Sequence, residues 1–156
     1  MKHFLLIFTV LMVGCGGGDG GPNESMNHEA QPPGDSKPVS VSPPTHTKDS
    51  LALIKERVAK NEAVLIDVRE KDEWDDGHIQ SAIFLPLSGL KKGGSSGSFA
   101  GKLAIKLPKD KVVYCHCVSG GRVHPASGIL QKLGYDVRPL KPGYKALLKA
   151  GFEKAK

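Results

Sequence analysis

The stretch VVYCHCVSGGRV, Val112 to Val123, places two cysteines one residue apart ahead of a glycine pair and an arginine. A thiolate is a nucleophile, and backbone N–H groups in a glycine-rich turn, together with a guanidinium, favour the anion over the thiol. Cys115, Cys117 and His124 also make a soft donor set that would suit copper or zinc. Alternate strand residues face opposite ways, so His116 is expected to point away from its neighbours. No second ligand cluster occurs in the domain, and no metal or cofactor is expected. His124, near a helix start, reads as a surface or substrate-facing residue. A disulfide between Cys115 and Cys117 would span one residue and be strained, so it is not expected at rest.

The elements that must position these groups are short. Ser50 to Asn61 carries apolar residues at Leu51, Ile54 and Val58, a helical stripe with Asp49 or Ser50 available as its cap. Val64 to Val68, Ala82 to Leu85 and Val112 to Tyr114 are apolar runs of the kind that form strands buried on both faces. Ala126 to Leu133 is helical in pattern and stops at Gly134; Asp136 to Leu140 reads as a strand and Tyr144 to Ala150 as a last helix. From Leu90 to Lys111 a flexible Gly/Ser loop is expected, followed by a helix over Phe99 to Leu107. Strands alternating with helices predict an α/β fold with a parallel sheet covered on both faces. In such sheets function gathers at the C-terminal strand ends, which is where the cysteine pair falls.

The opening residues have the layout of an export signal over 1–14, with Lys2, an apolar stretch from Phe4 to Val13, then small residues. That stretch is about half the length of a spanning helix. Leu11-Met12-Val13-Gly14-Cys15 resembles a bacterial lipobox, which implies a lipid on the Cys15 sulfur and cleavage just before it; Met12 stands where leucine is usual. The expected product is an exported lipoprotein, anchored to a membrane through Cys15 and facing the periplasm or cell exterior. Residues 15–49 are rich in Gly, Pro, Ser and Thr and read as a disordered tether, with His28 and His46 as solvated linker histidines. The tether has two lysines against five acids; residues 50–156 have nineteen basic against eleven acidic residues. A basic domain surface favours anionic lipid or small anionic substrates, whereas an exported chain without a nucleic-acid motif is not expected to bind nucleic acid.

Two separated segments carry a specific resemblance. LIDVREKDEWDDGHIQSAIFLPL holds Asp67, Arg69, Glu73, Gly77, His78, Ile79, Ala82 and Pro86 in places that match the first signature of the rhodanese domain. CVSGGR, then a helix, LGYDV and LKPGY, is similar to its second half. The resemblance implies a three-layer α/β domain over residues 50–156, with a five-stranded parallel sheet between helices. It also implies transfer of a sulfane sulfur through a cysteine persulfide, from a small anionic donor such as thiosulfate to a thiol or cyanide-like acceptor, by a monomer. Three residues depart from the pattern: Ser81 for glycine, Val123 for serine after the arginine, and Pro142 for the first glycine of the closing turn.

With that loop in view, the two sulfurs separate. Cys117 lies five positions before Arg122, the C-x-x-x-x-R spacing that resembles active sulfurtransferases; Cys115 lies seven before it. Cys115 sits within the strand and reads as a small buried hydrophobe. Cys117 falls where strand gives way to loop, so the amides of Val118, Ser119, Gly120, Gly121 and Arg122 can turn inward and the next helix points its positive end at the sulfur. Gly120 and Gly121 would supply positive φ values for that curl. Cys117 is therefore the expected nucleophile, and Arg122 with the loop amides the expected anion site. Asp67 and Arg69 are expected to brace the loops, and His78 to bond the turn after Trp74. Cysteine phosphatases place five residues between Cys and Arg, and the four found here narrow the cradle against phosphate. The other class left open is a binding or sulfur-sensing module with poor turnover, in keeping with Val123.

Overall fold

The structure, a computed structural model, describes residues 44–94 and 96–156. The expected leader, Cys15, His28 and most of the tether lie outside the described residues. Four parallel strands, β1 (Ala63–Asp67), β2 (Ala82–Phe84), β3 (Val112–His116) and β4 (Val137–Pro139), form one sheet in the order β2-β1-β3-β4. The two central strands are the two longest apolar runs, as burial on both faces demands.

Six helices cover the sheet: α1 (Leu51–Ala59), α2 (Lys71–Asp75), α3 (Leu87–Gly93), α4 (Gly97–Lys106), α5 (Val123–Lys132) and α6 (Tyr144–Lys149). On one face Ile66, Val113, Cys115 and Cys117 pack against Leu87 and Leu90 of α3, Leu103 of α4, and Val123, Ala126 and Leu130 of α5. On the other, Leu65 and Tyr114 meet Ile54 of α1 and Leu147 of α6. Cys115 and Cys117 thus share one face, as a period of two requires. Ser50 caps α1, its Oγ accepting the Leu53 N–H at 3.2 Å.

The sheet departs from expectation in strand number, with four strands among the described residues where five were expected. Beside the β4 edge runs the segment 44–49, which makes one sheet-like bond, Thr47 N–H to the Pro139 carbonyl at 2.8 Å. One bond does not make a ladder, and Pro139 has no N–H to return. The loop expected after Leu90 is also shorter, because α3 runs on to Gly93 with Leu87 and Leu90 buried. α5 starts at Val123, since that side chain belongs to the core.

His46 is not a solvated linker residue. Its Nε2 donates to the Gly120 carbonyl at 3.1 Å, and its ring meets that of His124 edge-on at 4.3 Å. Asp49 fastens the same segment to the domain: its Oδ2 accepts from the Tyr114 hydroxyl at 2.6 Å and from Arg138 Nη1 at 3.0 Å. These bonds, the Tyr114 one foremost, hold the Asp49 carboxyl below the usual carboxylate range.

At the C-terminal end of β1, Asp67 is wholly buried and pairs with Arg69, which is 3% exposed. Arg69 Nη2 lies 2.6 Å from Asp67 Oδ2, and its Nε donates to the same oxygen at 2.8 Å. Its remaining donors reach the carbonyls of Glu73 (3.0 Å) and Gly77 (2.8 Å), so one guanidinium ties β1 to α2 and to the turn that follows it. Removing one partner of such a pair leaves a buried charge without compensation. Arg69→Met should therefore lower the free energy of unfolding by about 3–5 kcal/mol, read from urea denaturation at neutral pH. A loss below about 1 kcal/mol would mean that Asp67 is satisfied by other groups.

Candidate active site

Cys117 leaves the end of β3 with its sulfur turned inward, 1% exposed, and Sγ accepts the Gly120 N–H at 3.2 Å. That amide is the member of the expected nest that reaches the sulfur. Gly120 has φ +87°, which closes the curl; Gly121, expected to share that role, is not in the left-handed region. A Cβ on Gly120 would fall 2.7 Å from the Lys141 carbonyl oxygen, and one on Gly143 would fall 1.6 Å from that of Val118. The 117–122 loop is thus laid directly on the turn before α6, a contact closed by Tyr144 N–H to the Cys117 carbonyl at 2.9 Å. Gly143 stands in the LKPGY turn of the sequence, and its need to be glycine becomes visible only when two distant loops are set against each other. On the solvent side the loop presents Val118, 52% exposed, and Ser119.

Cys115 and Cys117 both carry free thiols. Burial, and then the neighbouring Cys117, push the Cys115 thiol well above its ordinary range, so it stays protonated and packs as an apolar group. His116 is wholly buried on the other face; its Nε2 lies 3.7 Å from Asp67 Oδ2, and burial lowers its pKa against the pull of that carboxylate. His124 Nδ1 donates to the Pro44 carbonyl at 2.8 Å. The two sulfurs and two histidines therefore do not converge, and among the described residues no group of three or more His, Cys, Asp or Glu is placed to hold a metal ion.

Arg122 lies at the end of the loop, but its fork is taken. Nη1 and Nη2 donate to the two carboxylate oxygens of Glu73 at 2.5 and 2.6 Å, a bidentate pair roughly one-third exposed. This guanidinium, helped by the Glu70 N–H, holds the Glu73 carboxyl at about 2 against partial burial. Glu70 in turn accepts from the Ser88 hydroxyl at 2.6 Å, which fixes the start of α2. Sequence reasoning matched Glu73 to a signature but gave it no task; the spacing of Glu70 and Glu73 at a helix start was the available signal. His78 donates from Nδ1 to the Trp74 carbonyl at 3.1 Å and stacks on the Trp74 ring at 3.6 Å, closing the same turn. A surface cavity of about 440 Å³ lined by Lys55, Val58, Gln80 and Phe152 shares no residue with the loop.

A strand delivering a buried thiol into a tight amide curl, with an arginine at the start of the next helix, is accompanied by a family match: the sequence model of the rhodanese-like domain aligns with residues 50–150. The chain belongs to the rhodanese-like family. Over 90 residues, covering 57% of this chain and 64% of the relative, it is 36% identical to an uncharacterized protein, YqhL, of Bacillus subtilis. Over 87 residues (53% and 61%) it is 38% identical to a putative mitochondrial thiosulfate sulfurtransferase of Schizosaccharomyces pombe. The chain thus spans a little under two thirds of the length of these curated relatives. Among solved structures, the human single-domain sulfurtransferase TSTD1 superposes with a TM-score of 0.55 at 25% identity, covering 69% of this chain and 96% of that one. The rhodanese-like domain therefore extends through all four strands described above.

The contact between Gly143 and Val118 leaves no room for a methyl group. Gly143→Ala should displace the 117–122 loop, lower the melting temperature and speed alkylation of Cys117 by iodoacetamide. An unchanged melting temperature with an unchanged alkylation rate would show that the loop does not depend on this approach.

Proposed function

We propose that this rhodanese-like domain is a sulfurtransferase that carries a sulfane sulfur on Cys117. The thiolate attacks the outer sulfur of a donor such as thiosulfate, the S–S bond breaks with its electron pair leaving on sulfite, and a Cys117 persulfide remains. A thiol or cyanide-like acceptor then takes the outer sulfur and restores the thiolate. The observation that carries this reading is the Gly120 N–H directed at Cys117 Sγ inside a loop closed at its far end by Arg122. An amide donor at 3.2 Å stabilises a sulfur anion without adding bulk, and the loop amides flanking it are the residues proposed to face the donor. Cys115 is assigned no transfer step, because a thiol raised by burial is a poor nucleophile.

Cys117→Ser should take up no sulfur from thiosulfate, since its hydroxyl stays protonated at neutral pH. Cys115→Ser should still gain one sulfur, about 32 Da by intact mass, and lose no more than roughly 1–3 kcal/mol of stability, because the buried Ser127 hydroxyl is within reach of a hydroxyl at 115. An adduct on Cys117→Ser and none on Cys115→Ser would reverse the assignment. Failure of the unaltered protein to take up sulfur from any sulfane donor would favour the binding or sensing module.

The lipobox-like string supports a second part of the proposal, that Cys15 is acylated and holds the domain at a membrane surface outside the cytoplasm. Among the described residues no helix is long and apolar enough to cross a membrane. Cys15→Ser should move the full-length protein from the membrane fraction to the soluble fraction. Pelleting of that variant with membranes in high salt would exclude the anchor.

A further inference from the structure

The fork that would bind an anionic donor is already occupied by an anion of the protein. Glu73 presents its two oxygens to Nη1 and Nη2 of Arg122 at 2.5 and 2.6 Å, in the bidentate geometry that a sulfonate-like group would itself adopt. The carboxylate is not there by accident of a loose side chain. Glu73 belongs to α2, its Oε2 also accepts the Glu70 N–H at 3.0 Å, and its main-chain carbonyl is gripped by the buried Arg69 at 3.0 Å. Glu70 stands at the same helix start and is itself held by Ser88. The one carboxylate that meets the Arg122 guanidinium directly is that of Glu73, so the fork is already neutralised, and Glu70, turned to Ser88, adds a second negative charge nearby.

A dianion such as thiosulfate must displace Glu73 from Arg122 or bind beside it, and either course is unfavourable. A donor that brings little charge to the fork meets no such competition. From this geometry we propose that Glu73 is a positioning residue that sets donor class, turning the site from thiosulfate toward small alkyl persulfides, R–S–SH. The proposal rests on the persulfide reading of Cys117. With such a donor the Cys117 thiolate attacks the outer sulfur, the S–S bond breaks, and R–S⁻ leaves with the electron pair. The product is the same cysteine persulfide, and no oxidant or reductant is consumed.

Glu73→Gln keeps an oxygen for the Glu70 N–H but removes the charge, so α2 should keep its start while the Arg122 fork is released. The measurement is kcat/KM for thiosulfate and for an alkyl persulfide, on the unaltered protein and on the variant, with melting temperatures alongside. The thiosulfate-to-persulfide ratio should rise about three- to tenfold in Glu73→Gln, mainly through a lower KM for thiosulfate, as expected for removing one negative charge near a dianion. Glu73→Asp, one methylene shorter, should move the ratio the same way by less, and it serves if the first variant folds poorly. In Glu73→Gln combined with Arg122→Gln the gain should disappear, because the released fork is absent. A ratio that stays constant or falls in both single variants overturns the inference, as does a gain that survives loss of Arg122. If the unaltered protein acquires no sulfur on Cys117 from either donor, the transferase reading fails and this inference fails with it. Adducts from both donors with an unmoved ratio sink this inference alone.

Discussion

The buried pair of Asp67 and Arg69 is the interaction from which the rest of the site hangs. Asp67 ends the central strand wholly buried, where a carboxylate is tolerated only if its oxygens are satisfied. Arg69 satisfies them and has donors to spare, which it uses on the carbonyls of Glu73 and Gly77. Its guanidinium also lies over the Tyr144 ring, 4.2 Å from the centroid, and Tyr144 donates its N–H to the Cys117 carbonyl. Glu73, positioned by that grip, holds Arg122. Two separate paths thus run from one ion pair to the two ends of the 117–122 loop, one through α2 and the other through α6.

The loop itself is shaped by close approach more than by side-chain bonding. Gly120 and Gly143 let two pieces of backbone lie nearer than any side chain would permit, and the sulfur is buried beneath the Gly120 amide in the core cluster that includes Val123 and Ala126 of α5. The absence of a hydroxyl at Val123 costs no capping bond that the fold relies on, because α5 starts on Arg122 without one and Val123 is wholly buried. Cys115 shows how burial alone separates two identical groups on one strand face. The interior member is driven toward the neutral thiol, whereas its neighbour at the strand end has an amide directed at it.

Much of this architecture was legible in the residues. The apolar runs located β1, β2 and β3, the stripe of Leu51, Ile54 and Val58 located α1, and Gly134 marked the stop after α5 at φ +85°. Short elements escaped for a physical reason. α2 has five residues and α3 seven, too few to repeat a helical stripe, so their capping and their buried leucines were the remaining signals. The roles of His46 and Asp49 were not legible at all. Each is one of several polar residues in the run Thr45 to Ser50 that follows two prolines, and its partner lies 65 or more positions along the chain. The same holds for Arg122, whose carboxylate partner is 49 positions away. Composition reports what a segment can bury within itself, not what a distant surface offers it. The fifth strand expected from family resemblance becomes a single bond at the β4 edge because proline thins the donors there.

Those edges have a consequence for the molecule in concentrated solution. An open parallel sheet ends in two strands whose outer N–H and C=O groups are free to recruit another chain. Here both terminal strands are three residues long, the shortest of the sheet. Pro139 offers no donor, and its carbonyl is already occupied by Thr47. Segment 44–49 therefore shields β4 by lying alongside it and taking up the Pro139 carbonyl, without pairing with it as a strand. Unfastening Asp49 from Tyr114 and Arg138 would loosen the segment that lies along that edge, so the cover of the sheet's margin is anchored by a carboxylate that lies outside the sheet.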